Sequence, residues 1–238
     1  MFRPGAPSAR ALSLSSKINE LVKQTQLLDV SNLQVKLQSQ QRCPVSDDAA
    51  EVAVPASSDK PLVWYLQADI YCLEYGGNLL DSCLAALVAA LLDTRLPAAF
   101  VDPSDPSRVQ CHPLTPRRSG TVSAASSSPS SDAYGDGTRV RLNAMPLSLS
   151  FGAILDASHL IADPTSDEES LLVDSYSVVL DAYVVQAVEN GAAADTPEIC
   201  AIYKTGGAPL QPAKLAETLA EVRTRVCELK RLIDEALR

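Results

Sequence analysis

Apolar positions along the chain switch between two spacings, and the switches mark its elements. From Leu12 onward Leu14, Ile18, Leu21, Val22 and Leu28 recur three or four apart, the mark of an amphipathic helix that ends near Asp29, with Ser15 or Ser16 as its N-cap. The run 62–73 is instead rich in strand formers, among them Val63, Tyr65, Ile70 and Tyr71, and Tyr75-Gly76-Gly77-Asn78 closes it as a turn. Residues 79–92 are apolar almost all the way round, which predicts a buried helix. Residues 98–101, 139–142, 147–155, 159–162, 176–180, 184–188 and 199–203 read as strands, with turns at Asp156-Ala157, Asp181-Ala182 and Asn190-Gly191. Gly206-Gly207 and Pro212 then introduce a last helix, 213–238, whose Leu215, Leu219, Val222, Val226, Leu229, Leu232 and Ile233 share one face. The order helix, strand, helix, strands, helix predicts an α+β fold with helices packed on a mixed or antiparallel sheet.

Three stretches break the pattern. Residues 1–10 carry Pro4, Gly5 and Pro7 and read as a loop. Residues 38–60 are polar and interrupted by proline, a linker loop that cannot repay its ordering entropy by burial. Residues 103–137, which include SAASSSPSS at 123–131, read as a disordered surface insertion.

Charge and cysteine usage narrow the function classes. A formal charge of -9 argues against a protein that grips nucleic acid alone through bulk electrostatics, so any RNA contact is local or shared with partners. The six cysteines form no CxxC pair and only His112 and His159 could join them, which argues against zinc and for a reduced, intracellular protein. There is no signal-peptide core, and the longest apolar run, 83–92, is too short to span a bilayer.

Three segments carry a resemblance: WYLQADIYCLEYGGNLLDSCLAALVAALL, PLSLSFGAILDASHLIADPTSDEESLLVDSYSVVLD and KTGGAPLQPAKLAETLAEVRTRVCELKRLIDEAL. In this order they resemble the second half of the RNase PH family, in its exosome branch of inactive ring subunits, and LSLSSKINELVKQTQLLDVSNLQV resembles the end of that family's first half. The resemblance implies an RNase PH-like (ribosomal protein S5 domain 2-like) mixed sheet with packed helices, incomplete at the N-terminus. It divides the chain into a remnant of the first half at 1–37, a linker at 38–60 and a second half at 61–238. It further implies a non-catalytic subunit of the exosome core ring that supports 3′-to-5′ RNA processing and degradation, including rRNA maturation and mRNA turnover, in nucleus, nucleolus and cytoplasm. The implied partners are other RNase PH-like ring subunits, S1/KH cap subunits and single-stranded RNA in the assembled channel, with no cofactor and no membrane.

Active members of that family place two carboxylates six residues apart after the DPT-like turn, to hold a metal ion and position phosphate. Here that spacing falls on Glu168 and Asp174, and glutamate in place of aspartate moves one carboxylate by a methylene, so the pair is half kept. Arginines that receive phosphate are expected on the early helix, where 12–28 offers Lys17 and Lys23 but no arginine. Phosphorolysis is therefore poorly supported, and the alternative is an active phosphate-dependent 3′-to-5′ exoribonuclease using Glu168 and Asp174. The acidic run 163–169 reads as a solvated turn capping a strand, with residual metal binding as its rival. Arg139 and Arg141 alternate along one side of a short strand, candidates for RNA contact or merely an exposed face; Arg117-Arg118 lies in the insertion. Ser158 and His159 are adjacent and thus on opposite faces of a strand, which rules against a nucleophile and base pair. His112 falls in the insertion, and Gly206-Gly207 lacks the spacing of a phosphate loop.

Overall fold

The computed structural model describes residues 7–35, 62–102, 105–111, 137–154, 160–191, 198–204, 206–207, 209 and 211–237. These fall into two compact units, one of Met1–Asp29, Gln67–Asp93 and Arg141–Arg238, the other of Val30–Leu66 and Thr94–Val140.

The larger unit begins with helix α1 (Ala9–Gln24), three residues earlier than its apolar spacing suggests. Ser8, not Ser15 or Ser16, is the N-cap: its hydroxyl accepts the Ala11 N–H, while the later serines lie inside the helix. Ile18 and Leu21 are the buried residues of its face. Helix α2 (Leu79–Asp93) buries Leu80, Cys83, Leu84, Leu87, Val88 and Leu91, so its nearly continuous apolar content does mark a core helix.

Four antiparallel strands form the sheet of this unit, in the order β6-β5-β7-β8: β5 (Pro146–Ile154), β6 (Leu160–Ala162), β7 (Leu172–Asp181) and β8 (Ile199–Lys204). Leu147, Leu149 and Phe151 of β5 stand opposite Leu180, Val178 and Tyr176 of β7. These residues share a core with Val222 and Val226 of the last helix, α5 (Pro212–Ala236), and the Phe151 and Tyr176 rings stack with centroids 5.4 Å apart. The alternate residues Ser148 and Ser150 bond to Asp81 of α2. One face of the sheet is thus apolar, while the other mixes Ser148 and Ser150 with Val179, which clusters with Leu21 and Leu84, the two sets separated by the period of two along a strand.

Residues 184–188 are not a strand but part of helix α4 (Ala182–Glu189). Asp181, expected in a turn, ends β7 and caps α4: its buried carboxylate accepts the N–H of Tyr183 and that of Met145, both at 3.0 Å. A cap that also holds the entry to the paired strand β5 outweighs the modest strand preference of valine. A short helix α3 (Ser166–Glu169) follows the 163–165 turn.

In the smaller unit, strand β1 (Arg95–Leu96) pairs with β4 (Thr138–Arg139), and β2 (Ala99–Asp102) pairs with β3 (Asp105–Cys111). The expected insertion therefore has a strand at its start, where Arg108, Val109 and Gln110 continue a hairpin. The remainder of the insertion, with His112, Arg117 and Arg118, lies outside the described residues, as do Cys43, Ser158 and His159. The run 62–73 also departs from expectation: among the described residues only Val63 joins a bridge, to Gln34, and no ladder forms.

Candidate functional site

A cleft of about 550 Å³ opens in the larger unit, lined among others by Arg10, Lys17, Asn78, Glu169, Asp174 and Tyr176. Two short segments build it. Gly77, with φ at +113°, lets the 75–78 turn sit against the 163–166 turn, because a Cβ there would come within 2.4 Å of the Pro164 carbonyl oxygen. Ser166 N–H donates to the Gly76 carbonyl at 2.9 Å and ties the two turns together.

Glu169 lies where these turns meet α1. Its carboxylate accepts from Arg10 at 2.6 Å, from the Asn78 N–H at the start of α2 at 2.9 Å, and from the Tyr75 hydroxyl. The Arg10 guanidinium also covers the Tyr75 ring, 4.8 Å from its centroid. Partial burial pushes the Glu169 carboxyl up, but the hydrogen bonds from Arg10, Tyr75 and Asn78 outweigh it and hold the group below the usual carboxylate range. The early helix thus does contribute an arginine: its start at Ala9 takes in Arg10, which a boundary at Leu12 leaves out.

Glu168 and Asp174 each have their own partner. Glu168 closes a capping box on α3, accepting from the Thr165 N–H at 2.8 Å and hydroxyl at 2.9 Å while its own N–H donates back to that hydroxyl. Those two bonds lower its carboxyl from the ordinary value. Asp174 lines the cleft, and both its oxygens accept from the Lys204 ammonium, at 2.7 and 2.5 Å. Lys204 also donates to the Gly206 carbonyl, and Gly207 packs directly on the Asp174 carboxylate. This donor set does not fit a metal ion: one carboxylate is a helix cap, the other is neutralised by an ammonium, and no metal-holding group of three or more His, Cys, Asp or Glu occurs among the described residues.

Arg139 is exposed at the end of β4, and Arg141 lies beyond that strand, so the expected alternation along one side of a strand is not formed. Sequence reasoning missed Glu169, Asn78 and Lys204. Glu169 was visible only as part of an acidic run, and Lys204 has no local motif because its partner lies thirty residues away.

Residues 1–97 match the family model described as the 3′ exoribonuclease family, domain 1. The chain is 24% identical to the exosome complex component Rrp42 of Methanothermobacter thermautotrophicus, over 99% of this chain and 65% of that protein. It is 26% identical to exosome complex component rrp43 of Schizosaccharomyces pombe, over 94% of this chain and 61% of that protein. The Archaeoglobus fulgidus exosome with RNA bound to the active site contains a chain that superposes with a TM-score of 0.57 at 19% identity, covering 97% of this chain and 64% of that one. The fold is RNase PH-like. Its α+β construction agrees with the helices and antiparallel sheet described above. The chain spans less than two thirds of the length of these relatives, so the RNase PH-like elements seen here correspond to part of each.

Proposed function

We propose that this chain is a non-catalytic structural subunit of an exosome-type ring, nearest in kind to Rrp43, that supports 3′-to-5′ RNA processing and degradation, including rRNA maturation and mRNA turnover. The observation that carries this reading is the ion pair in which Lys204 occupies both oxygens of Asp174. A carboxylate neutralised in this way has little to offer a cation, and Glu168 is engaged as a helix cap. Similarity to proteins named as exosome components supports the assembly context. The partners are then other RNase PH-like ring subunits and S1/KH cap subunits, with RNA held by the assembly, in nucleus, nucleolus and cytoplasm. Within that reading residues 1–37 belong to a first half, 38–60 link, and 61–238 carry the second half with its insertion.

The test is a phosphate-dependent degradation assay on single-stranded RNA, with the chain alone and co-expressed with such ring and cap subunits. The expected result is stable co-purification and no shortening attributable to this chain. Phosphate-dependent shortening that disappears in Asp174→Asn would instead establish a phosphorolytic exoribonuclease.

A further inference from the structure

Three donors converge on one point of the cleft: the Arg10 guanidinium from α1, the Tyr75 hydroxyl, and the Asn78 N–H at the start of the 15-residue helix α2. A guanidinium, a phenol and a main-chain N–H at the positive end of a helix form a set that suits an oxyanion. The chain fills that place itself. Glu169 accepts from all three, and its side chain is 20% exposed against 58% for Arg10, so the carboxylate is the inner member of the pair. It is also held there firmly. Glu169 belongs to α3, whose start is closed by the Thr165–Glu168 capping box and tied to the 75–78 turn by Ser166 N–H to the Gly76 carbonyl. Further along α1, Lys17 lines the same cleft.

We infer that Glu169 is an autoinhibitory contact: its carboxylate stands in for a ligand anion, and the cleft takes a tetrahedral oxyanion at Arg10, Tyr75 and Asn78 only when that carboxylate is displaced. An anion from solution competes with a group already fixed at the donors, whose effective concentration no free ion matches. The competitor also carries the same sign of charge, so an incoming anion is repelled as well as excluded. This inference deepens the non-catalytic reading and rests on it for the other end of the cleft, where Lys204 holds Asp174. Both charged pairs of the cleft are then closed from within.

The probe is inorganic sulfate, which supports no phosphorolysis, titrated into the full chain at constant ionic strength with the Asn78 amide resonance as the readout. Glu169→Ala keeps the three donors and empties the place of the carboxylate. Its sulfate affinity should exceed that of the parent by at least about tenfold, as one regained charge-assisted hydrogen bond allows, and adding Arg10→Gln should abolish the gain. Glu168→Gln removes the same charge one residue away while keeping a side chain that can close the capping box, and should gain no more than about twofold. Arg10→Gln alone should leave the weak affinity of the parent unchanged, because that guanidinium is already engaged; Arg10 is exposed, so this comparison holds even if Glu169→Ala does not fold. Three results would overturn the inference: parent binding that depends on Arg10, equal gains in Glu168→Gln and Glu169→Ala, or a folded Glu169→Ala that gains nothing. The non-catalytic reading fails separately, on phosphate-dependent shortening of RNA by the parent chain.

Discussion

Glu169 joins three segments through one carboxylate, and its titration should be visible in stability. Burial raises its pKa, but the bonds from Arg10, Tyr75 and Asn78 lower it further, so the folded value lies below the ordinary one near 4.5. A depressed acid stabilises the fold above its unfolded pKa, and that contribution is lost as pH falls through the folded value. Between about pH 5 and 3 the urea midpoint of the parent should therefore fall more steeply than that of Glu169→Gln, in which this position does not titrate. Asp81 works in the opposite sense: burial raises it against its bonds to Ser148, Asn78 and Ser150, so its charged form opposes folding as pH rises above the ordinary aspartate range. It is common to both proteins and cancels in the comparison. The neighbouring glycines offer a second residue-level test. Gly206 and Gly207 both have positive φ, but a Cβ on Gly206 meets nothing within 4 Å whereas one on Gly207 would lie 2.3 Å from the Asp174 carboxylate. Gly206→Ala should cost about 1 kcal/mol of backbone strain. Gly207→Ala should cost roughly 2–4 kcal/mol, because it also displaces one partner of the largely buried Lys204 pair. Equal urea-derived losses would show that this contact carries no weight.

At the level of elements, most of the larger unit was legible because its periods are long and clean. Residues 79–92 and 213–238 are helices, and 147–155 is a strand, with boundaries shifted by one or two residues. The failures share a cause, a decision taken by residues distant in sequence. The run 62–73 has strand composition, but beyond the Gln34–Val63 bridge it forms no ladder among the described residues, and composition cannot supply one. The segment 105–111 looked like the start of a low-complexity insertion, yet β2 is there to pair with it. In 184–188 the strand preference of its three valines suits a strand, whereas the Asp181 cap and packing of α4 near α5 select a helix. Asp181→Ala tests that account. It removes the cap of α4 and leaves the buried Met145 N–H without its acceptor, so it should cost about 2–3 kcal/mol in urea unfolding, against about 1 kcal/mol for a simple exposed cap. The candidate site was legible only in outline: the acidic turn was visible, but Arg10, Asn78 and Lys204 reach it through the fold.

For the molecule as a whole, the excess of acidic groups and the way the basic ones are used bear on whether it can hold a nucleic acid backbone by itself. Arg10, Lys204, Lys214, Arg223, Arg225, Lys230 and Arg231 are each within 3.0 Å of a carboxylate of the same chain. The exposed pairs among these contribute little stability, but every pair cancels most of the local positive field that a phosphate would sense. With seven cations so engaged and a formal charge of -9, the free chain has little counterion release to gain from a nucleic acid backbone. It should bind an unstructured oligouridylate with a dissociation constant weaker than about 100 μM at about 150 mM salt, as read by filter binding or anisotropy. Co-assembly with ring subunits should raise that affinity, because the basic surface then comes from several chains at once. If instead the free chain bound tightly and lost that affinity steeply with added salt, a local basic track would have to exist. Arg141 and Lys17 would be the first residues to neutralise, singly, to see whether the salt slope falls with each.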